Sequence, residues 1–215
     1  MAINITPSKE NILKRIRQAL SHSTPLPFPQ SEGAASVFQP SRQEMEVEFA
    51  EQFIKLQGKF AYCSSGQDLK NQLTKLGVER KWEKVYYYGE DNDLHEALQD
   101  SWMFPHKSDD LAGCDASITF CEFLVARTGS IVMSSAQLSG RTTSVYAPIH
   151  ICIAYTNQLV YDIKDALVLL KEKYKGKFPS LITLASGPSR TADIEKTLVT
   201  GVHGPKEVYC FLVEK

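Results

Sequence analysis

Ile149-His150-Ile151-Cys152-Ile153-Ala154-Tyr155, then Asp162 to Tyr174 (DIKDALVLLKEKY), then Leu181-Ile182-Thr183-Leu184 is the stretch that decides the fold. The first run is apolar but for His150, close to the continuous apolar run of a strand buried on both faces. In the second, Ile163, Ala166, Leu167 and Leu170 recur at helical spacing and form a stripe to be buried. The third reads as a strand again. Outward from this core the alternation continues. Upstream, Met45, Phe49, Phe53 and Leu56 keep helical spacing with Gly58 as a stop, and Phe60 to Cys63 is strand-like. Leu69, Leu73 and Leu76 mark a helix ended by Gly77, Val85 to Tyr88 a strand, and Asp93 to Trp102 a helix. Ala116 to Phe120 and Ser130 to Met133 read as strands. Downstream, a helix is expected from Thr191 to Val199 and a last strand from Val208 to Val213. Alternating strands and helices predict a three-layer α/β architecture, a mostly parallel sheet with helices on both faces. In such sheets ligands bind beyond the carboxyl ends of the strands.

This body spans 42–215. Residues 1–41 are a different kind of sequence: an amphipathic helix over Ser8 to Leu20, then a stretch punctuated by Pro25, Pro27, Pro29 and Pro40. That stretch reads as an arm rather than a domain. The helix buries Ile12, Leu13, Ile16, Ala19 and Leu20 either on its own body or on a partner.

The chain has 215 residues, 43% hydrophobic and 23% charged, in the range of an ordinary globular protein that folds without disulfide or metal staples. With 24 basic and 25 acidic residues its formal charge is -1, which removes the broad basic excess of a non-specific nucleic-acid binder. Cys63, Cys114, Cys121, Cys152 and Cys210 are odd in number and form no CxxC, so neither a disulfide framework nor a cluster-binding run is expected. No signal peptide or membrane span is recognisable, and the expectation is a soluble cytoplasmic protein. P-loop, GxGxxG, GxSxG and HExxH motifs do not occur, and no metal site is expected.

Four loops carry chemistry. Ser186-Gly187-Pro188-Ser189-Arg190-Thr191 follows a strand and, on the expected helix, opens its N-terminus. Free N–H groups, the dipole and the Arg190 fork would then make an anion cradle, unless it is simply a capped helix with Arg190 in solvent. Thr128-Gly129-Ser130 offers hydroxyl donors around a glycine, with Glu122 upstream as a nucleophile or general base. Ser139-Gly140-Arg141-Thr142-Thr143-Ser144 adds a second arginine. Gly201-Val202-His203-Gly204-Pro205 leaves His203 sterically open as an acid, a base or a ligand. A shared anion site of Thr128, Gly129, Ser130, Arg141, Gly187, Ser189, Arg190, Thr191 and His203 requires these loops to meet on one side of the sheet.

Taken in order, Thr128-Gly129-Ser130, Arg141, the block Gly187 to Glu195 and the block Gly201 to Pro205 resemble the LUD-domain family, and most of all its lactate-utilisation branch. The resemblance is strongest over about 115–215. It implies a fold related to sugar-phosphate isomerases and CoA transferases (NagB/RpiA/CoA transferase-like). It also implies a subunit that takes part in oxidising L-lactate to pyruvate beside iron–sulfur partner subunits. This chain would then carry no cofactor of its own, and would bind a small anionic metabolite or organise the complex. The alternative is a stand-alone transferase or isomerase acting on a CoA-activated acid or sugar phosphate through Glu122 or His203. One departure stands out: Arg127 occupies the place before Thr-Gly where the family often has an acidic residue, which inverts the charge there.

Overall fold

The computed structural model describes residues 7–21, 43–88, 111–194, 197–201 and 203–215. The expected helix Asp93 to Trp102, the proline-rich arm, Glu195 and Val202 lie outside these residues. The chain divides into two units, Met1–Gln39 and Pro40–Lys215. In the first, helix α1 (Pro7–Leu20) exposes Ile12, Ile16 and Leu20.

The second unit is built on five parallel strands in the order β1 (Lys59–Cys63), β11 (Glu207–Val213), β6 (Ile149–Tyr155), β3 (Ala116–Phe120) and β2 (Val85–Tyr88). Its middle strands β3, β6 and β11 are the near-continuous apolar runs, buried along almost their whole length. Helix α3 (Gly66–Arg80) covers one face, where Leu69, Leu73 and Trp82 pack on Ile118, Ile151, Ile153 and Phe211. It runs three residues past Gly77. The stop is Lys81, left-handed at φ 56°, which lets the Trp82 N–H return to the Gly77 carbonyl. Helix α2 (Met45–Lys55) covers the opposite face with Phe49 and Phe53, whose rings stack at 5.4 Å.

The remaining strands leave the central sheet, a difference from the single sheet that alternation predicts. β4 (Phe123–Val125), β5 (Ser130–Ser134), β7 (Leu159–Val160) and β8 (Ile182–Ala185) form a mixed four-stranded sheet in the order β7-β4-β5-β8. The connections explain it: four residues between β4 and β5 can make an antiparallel return, but not the crossover that parallel strands need. This sheet packs with α2 on the central sheet through Leu124, Ile131 and Met133. Helix α5 (Ile163–Tyr174) covers its outer face with Ala166 and Leu170; Leu167, expected in that stripe, is 41% exposed. The short helix α4 (Thr143–Tyr146) precedes β6.

One expected element is overturned. The Thr191 to Val199 segment is no helix but a hairpin of β9 (Arg190–Ile194) and β10 (Thr197–Thr200). Thr191, Ile194, Thr197, Val199 and Thr200 are β-branched, and that density favours a pleated chain over a helix. All five cysteines are free thiols and buried, and burial pushes Cys63 up to about 12. His150 is fully buried in β6, held neutral by desolvation at about 4, with Nε2 2.8 Å from the Thr119 hydroxyl. Among the described residues no helix is long and apolar enough to cross a membrane.

Candidate functional site at the carboxyl end of the parallel strands

β2, β3 and β6 end on aromatic residues, Tyr88, Phe120 and Tyr155, and a cavity of about 330 Å3 opens beside them. This is where an open parallel sheet accepts ligands. Phe120 and Tyr155 stack at 6.2 Å. Across the cavity stand Gln137, Ser139 and Gln158, with Lys173 and Tyr174 from the last turn of α5.

Behind that wall lies Glu122, its side chain fully shielded from solvent. It accepts from Ser134 Oγ at 2.6 Å, Tyr174 OH at 2.6 Å and Lys173 Nζ at 2.7 Å. Burial alone would raise its pKa, but the bonds from Lys173, Ser134 and Tyr174 outweigh burial and hold the carboxyl below its ordinary value. The Glu122 backbone is fixed as well. Its N–H donates to the Val132 carbonyl at 2.8 Å, and Gln158 Nε2 donates to the preceding Cys121 carbonyl at 2.8 Å. A carboxylate with both oxygens engaged and no exposed surface does not serve as a nucleophile. Glu122 instead holds Lys173 and Tyr174 in place, presenting a cation and a hydroxyl to an aromatic-lined cavity.

The loops expected to bind together are split. Thr128, Gly129, Ser130, Gly187, Ser189, Arg190 and His203 gather at the amino end of the central sheet, opposite the cavity. Ser130 Oγ lies 2.7 Å from Thr128 Oγ1 and 2.6 Å from Ser186 Oγ. The Ser189 N–H donates to Pro205, just before β11, at 3.0 Å, and Gly204 lies against the Ser189 side chain. His203 is exposed in the turn before β11, so it and Glu122 lie at opposite ends of parallel strands and cannot share a reacting atom. The backbone of Thr191 pairs with Val199 in the hairpin. Arg141 is not part of this group. It donates to Ser180, before β8, beyond the Ser134 end of β5.

The helix-N-terminal anion cradle therefore does not form, because no helix starts at Arg190. Its guanidinium donates instead to the Leu56 carbonyl, the C-cap of α2, where a cation suits the negative helix end. The glycines have the same neighbour. A Cβ on Gly129 would stand 2.5 Å from the Phe53 nitrogen, and one on Gly187 would strike the Leu56 carbonyl oxygen. Arg127 is paired, with Nε 2.6 Å from Asp162 Oδ2, and Asp162 caps α5 through the Lys164 N–H. Asp162→Ala is expected to cost about 1–2 kcal/mol in urea melts through the lost cap, and Arg127→Ala no more than about 1. Arg127→Glu, which sets two carboxylates together, should be the worse of the two arginine variants.

Sequence reading missed Lys173, Tyr174, Ser134 and Gln158. A signal existed: Glu122 sits inside Phe120-Cys121-Glu122-Phe123-Leu124-Val125, and an acid in an apolar run must find a partner when buried. Its partners lie up to 52 positions away, beyond the reach of any motif.

The architecture and cavity define an α/β protein with a ligand-sized recess at the carboxyl end of a parallel sheet. The chain belongs to the LUD domain family, which matches residues 47–213. It is similar to an uncharacterised protein of Neisseria meningitidis, at 30% identity over 152 residues, covering 69% of this chain and 63% of that one. It is also similar to Lactate utilization protein C of Shouchella clausii, at 28% identity over 186 residues and 80% of each chain. A solved DUF162 family protein from Deinococcus radiodurans has the same fold, with TM-score 0.58 and 17% identity over 81% of this chain and 99% of that one.

Proposed function

We propose that this chain is a component of an L-lactate utilisation system and binds a small organic anion in the cavity beside Tyr88, Phe120 and Tyr155. In the proposed reaction L-lactate loses two electrons and two protons to become pyruvate, and the electrons pass to iron–sulfur clusters of partner subunits. The observation that carries this reading is the kinship with Lactate utilization protein C over 80% of both chains. The site's chemistry is compatible with it. Lys173 supplies positive charge for a carboxylate, Tyr174 a hydroxyl, and the aromatic rings a surface that keeps water away.

The test is lactate oxidation by the complete system with and without this chain. Omission is expected to lower the rate at least about tenfold, the effect of ~1.4 kcal/mol on the barrier; an unchanged rate overturns the reading. Calorimetric titration with L-lactate and pyruvate should show weaker binding to Lys173→Met and unchanged binding to Arg190→Ala. The reverse pattern would move the site to the amino end of the sheet. Turnover of a CoA ester or sugar phosphate by the purified chain alone would favour the transferase or isomerase alternative.

A further inference from the structure

β1 ends the central sheet, and among the described residues β11 is its one strand neighbour. The direction of its backbone groups can be read directly. The Cys63 carbonyl accepts from the Glu214 N–H, just after β11, at 2.9 Å, so Cys63 turns inward. Backbone groups alternate sides along a strand, so Lys59 and Ala61 also turn inward, while Phe60 and Tyr62 direct their N–H and C=O groups outward. The Tyr62 carbonyl takes one bond from the Gln72 amide at 3.0 Å and has a second lone pair to offer.

We propose that this strand pairs with β1 of a second copy of the chain, antiparallel about a two-fold axis through Ala61, to make one continuous ten-stranded sheet. The register follows from the outward groups. Phe60 faces Tyr62 of the second copy as a hydrogen-bonded pair, Tyr62 faces Phe60 likewise, and the two Ala61 residues meet as a pair without hydrogen bonds. All four outward groups on each strand are used, and no other register centred on β1 does this. Phe60 and Tyr62 lie on the same face as α2, so the pairing also forms two cross-strand aromatic contacts.

The flank fits the same two-fold. A groove of about 1000 Å3 runs between α2 and β1, with Val47, Ile54 and Tyr62 46%, 56% and 45% exposed. Its acidic end, Glu44 and Glu46, lies toward Tyr62, and Lys55 lies toward Phe60. Antiparallel pairing sets the acidic end of one copy against Lys55 of the other. Lys59, a charge that would ordinarily guard an edge strand, is already paired with Glu207. A two-fold pairing of this kind closes at two copies, since each copy has one β1.

The expected mass by light scattering is twice 24.1 kDa. Ala61→Cys should form a covalent dimer under mild oxidation. Opposed residues of a non-hydrogen-bonded pair sit about 4.5 Å apart at Cα, within disulfide reach, and the five native thiols are buried. Val78→Cys, on exposed α3, should not cross-link in the same way. Tyr62→Lys should be monomeric, with circular dichroism and melting showing that it still folds. If Tyr62→Lys does not fold, the Ala61→Cys cross-link decides alone. Amide exchange at Phe60 and Tyr62 should slow as protein concentration rises. A monomeric wild type, a dimer whose Ala61→Cys form does not cross-link, or protection independent of concentration (an edge covered by the chain itself) would each overturn the proposal.

Discussion

Gly129→Ala and Gly187→Ala are each expected to destabilise the fold by about 2–5 kcal/mol, the sum of left-handed strain and a methyl group forced into packed backbone. Both residues have positive φ, 57° and 93°, and both abut the last turn of α2, where no flexible side chain can yield. Gly140→Ala is the control. Its φ is 61°, but nothing lies within 4 Å of the added methyl, so it should show the strain alone, about 1–2 kcal/mol. Denaturant melts of the three variants measure the difference. If Gly129→Ala and Gly187→Ala melt like Gly140→Ala, the close approach of these turns to α2 is wrong. With it would fall the structural explanation of the glycines in the motif.

The second large effect is expected in acid. The Glu122 carboxyl is held below its ordinary value near 4.5, so it stabilises the folded state fully above that pH. The stabilisation is lost as pH falls from there through the lower folded value. Glu122→Gln should therefore flatten the acid limb of a stability profile. It should also cost about 2–3 kcal/mol at neutral pH, because the hydrogen bonds of Ser134, Lys173 and Tyr174 to a charged group are weakened. Lys173→Met should shift the acid limb to higher pH while leaving the hydroxyl bonds in place. His150 acts in a different window. Its folded value of about 4 lies below the ordinary 6.5, so the unfolded chain takes up a proton first and stability declines as pH falls from 6.5 toward 4. A profile with no change below pH 4.5 in Glu122→Gln relative to wild type would contradict the Glu122 assignment.

Both predictions concern contacts that sequence reading reaches unequally. The strand Ile149 to Tyr155 was legible because burial on both faces favours a near-continuous apolar run, and Val85 to Tyr88 and Ala116 to Phe120 for similar reasons. The Thr191 to Val199 segment misled because it follows a strand where the alternation calls for a helix, while its β-branched residues are counted only once a partner strand is available. Of the candidate site, Glu122 was visible as an oddity, an acid among apolar residues. Its role was not, because its partners come from two other places in the chain, Ser134 from β5 and Lys173 with Tyr174 from the end of α5. The Gly129 and Gly187 turns were conspicuous in sequence, and the feature behind them, the C-terminal turn of α2, lies some 75 and 130 positions away by the numbering.

Period and composition act locally, so the sequence by itself determined that this is an α/β protein with parallel strands at its centre and a differently composed N-terminal segment. The tertiary structure alone decided which strands share a sheet: the four-residue β4–β5 connection forbids a parallel crossover, and β7 and β8 pair onto β4 and β5 in a second layer. It also decided at which end each loop lies. A residue's distance along the chain says nothing about the end of the sheet it reaches, and that choice sets Arg190 on the C-terminus of α2 and leaves Lys173 at the cavity.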